Sequence, residues 1–394
     1  MNSPLVRPSA LGNISTMTVR FGNLFLLAAA ALLLGAFSPA ARAADADADR
    51  IRLAVDALTR LEGINLDANP SMKERVLKVL DKTRGTPEFV RLVQHFQFKD
   101  QNAGLLEVAL SQPSGESGVE AMRLILSSGD STVLKSTLEG ANTSNALKAV
   151  EAIGNTSSKD AMKLLLPLVS EPRQDAALRK QAVRSLARTS DGAKALLMLA
   201  KENKLADDLK LTASSELNAA RWPDVQAEAA KVLPPLQGQN AQPLPPISEL
   251  VKMKGDSANG AKVFSRAAPG CANCHIVRGQ GMELGPNLSE IGTKLGKDAL
   301  FESILDPSAG ISFGFEAWTF TMKNDDEAYG LLASETGDEV TLKNTGGIVT
   351  KIKKSDVATR QQSKLSIMPA GLQAGMTTQE FVDLVEFLSS LKKQ

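Results

Sequence analysis

From about residue 50 to 233, apolar side chains recur at helical spacing, as in Leu53, Val55, Ala57, Leu58 and Leu61. Gly, Pro, Asn and Ser-Asp clusters break the pattern. It predicts a succession of short amphipathic helices. Three segments can be laid over one another: "ALKAVEAIG", "LRKQAVRSLA" and "LKLTASSELN". Ala149, Ala182 and Ala213 then align, 33 and 31 residues apart, and Ile153, Leu186 and Leu217 each follow four positions later. A second amphipathic stretch follows each one. Small Ala lets neighbouring helices approach, and the larger residue fills the gap. Helix pairs at such a period predict an α-solenoid of HEAT-like units over 44–232, with an irregular helical bundle as the alternative.

The pattern changes after "LPPLQGQNAQPLPPISEL", a Pro-rich linker placed at 233–250. In the C-terminal part, 251–394, helices are expected at 256–266 and 297–308. Alternating runs then appear in "AWTFTMK", "AYGLLASE", "EVTLKN" and "GIVTKIK", separated by "NDDE", "TGD" and "NTGG". They predict a small antiparallel β insertion over about 316–355. A last helix opens on a capping box, Thr377 and Glu380, with Phe381, Leu384, Val385, Leu388 and Leu391 on its apolar face. Gly260 and Phe264 are placed to pack against Phe387 and Leu388. The fold class expected is mainly α.

At the N-terminus, Arg20, the apolar run "FLLAAAALLLGAF" and the small residues Ala41 and Ala43 follow the order of a secretory signal peptide over 1–43. Met17 as a start gives a more usual leader length. The alternative, an uncleaved anchor, falls short of the ~20 apolar residues a membrane span needs. The mature protein is then expected outside the cytoplasm, in the periplasm, with no span left after cleavage.

Composition adds limits. Net charge is +1 over 394 residues, which gives no footprint for nucleic acid. Aromatics make up only 4 %, so the core must be built from Ala, Leu, Val and Ile. Residues 247–394 hold 16 basic and 18 acidic side chains, net −2, too balanced for strong steering of a partner.

Both cysteines of the chain, and one of its two histidines, lie in "GCANCHIVRGQGMELGP". Cys271, Cys274 and His275 form C-x-x-C-H, the attachment signature for haem c. Each thiol adds to one vinyl group of the haem, and the adjacent histidine gives its Nε2 to iron. Zinc would need a fourth ligand, and only the distant His95 or a carboxylate remains. A thioredoxin-like dithiol lacks its βαβ setting. A carbonyl at Gly285-Pro286 is placed to accept the His275 Nδ1–H and fix the ring. For the sixth position Met368, in "SKLSIMPAGL", is favoured, because Pro and Gly hold its loop open ahead of the last helix. Met376 is the rival, and five-coordinate iron is the other alternative. Asp306, Ser308, Phe313, Phe315 and Trp318 are candidates for lining the haem edge; Tyr329 has no assignable role.

Residues 257–394 resemble the haem-binding c-type cytochrome domain widespread in planctomycetes and verrucomicrobia. "GAKVF", "CANCHIVRGQG", "LGPNLSEIG", "ILDPSAGI", "GLLASETGDEVTL", "SIMPAGL" and "TTQEFVDLVEFLSSL" carry the likeness. It implies a class I cytochrome c-like helical domain with a β insertion, following helical repeats. It also implies covalently attached haem c on Cys271, Cys274 and His275, the Gly-Pro role for Gly285 and Pro286, and iron ligation by His275 and Met368. Larger relatives carry a β-propeller that has no counterpart here.

The function expected is an electron carrier, not an enzyme, serving a dehydrogenase or a terminal oxidase chain. The alternative is a redox or gas sensor, or a scaffold whose solenoid binds a protein partner. A peroxidase would need a distal acid–base group, and only His95 is spare.

Overall fold

The computed structural model describes residues 39–61, 63–234, 244–267 and 270–393. Most of the expected leader and the centre of the Pro-rich linker lie outside these residues. The chain divides into two compact units after Lys82. In the first, helices α1 (Pro39–Thr59) and α2 (Pro70–Lys82) pack on one another. α1 runs through Ala43, the expected cleavage point.

The second unit begins with a helical array: α3 (Pro87–Phe96), α4 (Asn102–Ser111), α5 (Glu116–Ser127), α6 (Thr132–Leu138), α7 (Thr143–Asn155), α8 (Ala161–Ser170), α9 (Ala176–Leu186), α10 (Ser190–Lys201), α11 (Asp207–Asn218) and α12 (Pro223–Val232). Local chemistry sets many of the starts. Asn142, Asp175 and Thr189 cap α7, α9 and α10 by accepting backbone N–H bonds. Pro87 and Pro223 open α3 and α12, where no donor is missed. α7, α9 and α11 stack in one row, and α8, α10 and α12 in a second. The aligned Ala149, Ala182 and Ala213 are all buried, as are Ile153, Leu186 and Leu217. At the α7–α9 crossing a Cβ on Gly154 would lie 2.4 Å from the Ser185 side chain, so the helices meet backbone to backbone there.

The C-terminal part is a helical core with a sheet beside it. α13 (Ile247–Leu250) falls inside the expected linker, and Leu250 is buried in this core. α14 (Ser257–Ser265), α15 (Ile291–Lys294), α16 (Lys297–Leu305) and α17 (Thr378–Ser390) supply the rest. The Thr377–Glu380 capping box forms as expected. Phe301 meets Phe381 edge-on at 5.0 Å between ring centroids, and Phe264 meets Phe387 at 5.8 Å. A Cβ on Gly260 would lie 2.0 Å from the Asp383 carbonyl oxygen, so only glycine permits the α14–α17 crossing. Asp383, unremarked in the sequence, is buried at this crossing. It accepts from the Asp256 amide at 2.8 Å, from Asn259 at 2.8 Å and from Gln379 at 2.8 Å.

The sheet has five strands: β1 (Ala317–Met322), β2 (Glu327–Glu335), β3 (Glu339–Asn344), β4 (Ile348–Lys353) and β5 (Val357–Gln362), all antiparallel in the order β4-β3-β2-β1-β5. The four predicted strands are present. The fifth extends the sheet past 355, because "VATRQQ" is mostly exposed and is held by its pairing with β1, not by a buried face. Phe320, Ala328, Val340, Leu342 and Ile352 form the sheet's own core.

The sheet docks on the helical array through polar contacts. Lys351 pairs with Glu116 at 2.7 Å, and Arg123 reaches Thr350 at 3.3 Å. The β1–β2 turn inserts Asp326 against Ser158 Oγ at 3.2 Å and the Lys159 amide at 3.0 Å. Next to it Glu327 meets Arg221 at 2.5 Å. A cavity of about 680 Å³ lies between α3, α5 and the sheet, but it contains none of the candidate site residues.

Candidate functional site

Gly270, at φ +80°, turns the chain into a 3-10 turn over Cys271–Asn273. The amides of Cys274 and His275 both donate to the Cys271 carbonyl, at 3.1 and 3.0 Å, so one turn gathers the two thiols and the imidazole. The following loop folds back over it. Met282 N donates to Ala272 O, while Leu284 N and Gly285 N both donate to Cys274 O. Gly281 sits at φ +111°, and a Cβ there would lie 2.1 Å from His275 O, so the fold-back requires glycine.

This loop fixes the histidine. His275 Nδ1 lies 2.8 Å from the Pro286 carbonyl oxygen, as the sequence suggested. A carbonyl can only accept, so Nδ1 carries the proton and Nε2 keeps its lone pair. Burial lowers the His275 pKa and the Pro286 carbonyl offsets this in part, so the ring is neutral at pH 7. Nε2 makes no hydrogen bond among the described residues. Gly285 holds the ring from the side: its missing Cβ would be 2.5 Å from Cε1.

Both cysteines are free and half-buried. Burial pushes the Cys271 thiol up to about 11 and raises the Cys274 thiol as well, so both are protonated at neutral pH. Cys271 packs on the helical core. Cys274 packs on a small cluster of Leu284, Ala317 and Leu331, with Phe315, Tyr329 and Ile367 around it. Among the described residues no three His, Cys, Asp or Glu side chains group to hold a metal.

The methionines separate by surroundings. Met368 is half-buried against the same helical core as Cys271, and its neighbour Ile367 joins the Cys274 cluster. Met376 is 4 % exposed and fills that core. Met253 borders it, Met322 belongs to the sheet core, and Met282 is 41 % exposed near the Gly347 turn. The Met368 loop is braced by hydroxyls: Ser366 N donates to Ser308 Oγ at 3.1 Å, and Met368 N donates to Ser366 Oγ at 3.2 Å. Ser308 thus holds the loop. Of its expected companions only Phe315 joins the Cys274 cluster. Phe313 is 96 % exposed, and Trp318 lies under Arg360 on the sheet. His95 lies in the last turn of α3, edge-on to Phe96.

Residues 257–338 match the Cytochrome c family model. The match begins with α14, spans the C-x-x-C-H turn and ends between β2 and β3, thirty residues before Met368. No curated protein matches the chain. A cytochrome c domain implies a haem and haem-based electron transfer. The residues of this cytochrome c region fit such a group: a neutral imidazole with a free Nε2, seated against the bare Cα of Gly285, and two thiols in apolar surroundings. None of the described helices is long and apolar enough to cross a membrane.

Proposed function

We propose that the protein is an exported, periplasmic c-type cytochrome that carries single electrons. Its haem would be tethered by thioethers at Cys271 and Cys274, and His275 and Met368 would bind the iron. The observation that carries this reading is the 2.8 Å bond from His275 Nδ1 to Pro286 O, made beside a glycine with no room for a side chain. The bond presents Nε2 as a ligand before any metal arrives, which lowers the cost of ordering the site. The haem, when bound, supplies a one-electron couple, and a neutral thioether ligand favours its ferrous state. The chain's own part is to orient the imidazole, to hold the thioether on a braced loop and to exclude water with the apolar clusters around Cys271 and Cys274. The electron partner is a dehydrogenase or a terminal oxidase chain. The paired rows α7, α9, α11 and α8, α10, α12 support HEAT-like repeats in the array.

The test is expression with export and haem-attachment machinery, followed by intact mass and ferric and ferrous spectra of wild type and Met368→Ala. Covalent haem, a low-spin ferric spectrum with the weak far-red methionine band, and loss of that band in the variant are expected. No covalent haem overturns the cytochrome reading. A high-spin wild type or an unchanged variant overturns Met368 as ligand and favours sensing or gas binding.

A further inference from the structure

Arg266 caps the C-terminus of α14, its amide donating to Lys262 O at 3.1 Å, and stands five residues before Cys271. Its guanidinium spreads over the start of α17. Nη1 donates to Glu380 Oε1 at 2.6 Å and Nη2 to Glu380 Oε2 at 3.3 Å, a two-point fork on one carboxylate. Nη2 also donates to the Gly375 carbonyl oxygen at 3.0 Å. Glu380 is itself fixed, because Oε2 accepts from the Thr377 amide at 2.8 Å and closes the capping box. The Arg266 fork, and after it the Thr377 amide, hold the Glu380 carboxyl below its usual range, so it is ionised at neutral pH. Both side chains are partly buried, which limits screening by salt. Arg266 Nε is buried and makes no hydrogen bond among the described residues; the guanidinium is placed for Glu380 and Gly375, not for its own full satisfaction.

Gly375 ends the 3-10 turn Leu372–Gly375, which closes the Met368 loop ahead of α17. Between Met368 and this turn, Pro369, Ala370 and Gly371 are exposed, and Gly371 bends the chain at φ +83°. Ala374 N donates to Gly371 O and Met376 N to Gln373 O, each at 3.0 Å. These bonds shape the turn without tying it to a helix. The loop is hydrogen-bonded to the helical core at its two feet. At the first, Ser308, just past α16, accepts from the Ser366 amide, and Ser366 Oγ accepts from the Met368 amide. At the second, Arg266 holds Gly375 O. One side chain thus joins α14, which leads toward the C-x-x-C-H turn, to the turn that closes the Met368 loop.

We propose that Arg266 is a positioning residue that latches the Met368 loop to α14 and so keeps Met368, not a small exogenous ligand, on the iron. Ser308 is the second latch, at the other foot. Cys271 and Met368 border the same helical core, so the Arg266 latch joins the two segments that supply them. With the latch intact the iron is closed to small ligands, as an electron carrier needs. Without it the iron opens to them, as a gas sensor needs. The consequence at the iron rests on Met368 as ligand; the hold on the loop stands on the hydrogen bonds above.

Two readouts on the full-length holoprotein test it, for wild type, Arg266→Gln, Arg266→Lys and Lys297→Gln. Lys297 pairs with Glu386 further along α17, also partly buried, so its loss controls for a general weakening of that helix. The first readout is amide hydrogen exchange at 371–376, which contains the Ala374 and Met376 amides. It should quicken in Arg266→Gln and not in Lys297→Gln. The second is displacement of the far-red methionine band by added imidazole. Arg266→Gln should raise imidazole affinity about tenfold, the loss expected for a hydrogen bond from a charged group. Arg266→Lys keeps the charge but not the fork, so it should melt close to wild type and still show both effects. It also serves if Arg266→Gln does not fold. Unchanged exchange in the Arg266 variants, or equal acceleration in Lys297→Gln, overturns the proposal. Wild-type behaviour of Arg266→Lys in both readouts overturns the fork as the latch. Quickened exchange with unchanged imidazole affinity overturns the role at the iron. If wild type lacks the methionine band, the ligand assignment fails and exchange alone decides whether Arg266 holds the loop.

Discussion

The imidazole of His275 rests against the bare Cα of Gly285, with 2.5 Å between Cε1 and the place where any other residue would put its Cβ. Gly285→Ala must therefore push the ring or the loop aside. Overpacking of this kind costs about 1–3 kcal/mol. The expected outcome is a lower melting temperature and a perturbed or partly high-spin ferric spectrum, read by calorimetry and absorbance. An alanine variant with wild-type spectrum and stability would show that the ring's seat is not set here.

Met368 and Met376 should part company when each is cut to alanine. Met376 is core, so its loss should cost about 2–5 kcal/mol and leave the iron's spectrum intact. Met368 is half-buried on a loop, so about 1 kcal/mol is expected with a changed spectrum. Denaturant melts paired with ferric spectra separate the two; the reverse pattern would make Met376 the ligand.

Asp383 gives the fold a dependence on pH. Burial alone would raise its pKa, but the bonds from Asn259, the Asp256 amide and Gln379 outweigh it and hold the carboxyl below its usual value. A depressed folded pKa means that the stabilisation is present above the unfolded value, near 3.8, and is lost as pH falls through the folded one. Wild type should thus lose stability steeply below about pH 4, the ordinary carboxyl range. Asp383→Asn should be less stable by about 2–4 kcal/mol at pH 7 and show a flatter acid limb. Urea melts from pH 3 to 7 would show it, and parallel acid limbs would remove Asp383 from the account.

Asp326 ties the β1–β2 turn to the array through Ser158 and the Lys159 amide. Asp326→Ala should cost about 1–2 kcal/mol. It should also release the Lys159 amide to faster hydrogen exchange while α14 and α17 keep theirs. Unchanged protection at Lys159 would mean that other contacts hold the array to the sheet.

What could be read in advance was local. The Thr377–Glu380 box needs only four consecutive residues, and the Ala149, Ala182 and Ala213 register needs only self-similarity. The His275–Pro286 bond spans eleven residues of one loop. What could not be read depends on distant partners. "NDDE" is plainly a turn, but nothing in it announces Ser158, 168 residues away from Asp326. Asp383 was hidden because an apolar stripe marks hydrophobic positions and passes over a carboxylate seated among donors. β5 has no buried face of its own, so no alternation exists to find. Tyr329 carried no motif; Arg221, which lies over its ring, and Ile367, which shares its cluster, come from separate stretches.

β1 and β5, the first and last strands of the sheet, are neighbours, with Trp318 opposite Gln362. The chain therefore leaves the helical core and returns to it at nearly the same point. A segment with that property is a cassette. Evolution can lengthen, replace or delete it without moving the two ends it joins. Every array contact named above falls on this cassette. A chain that lost the cassette would keep Cys271, Cys274, His275 and Met368 and lose every array contact described above.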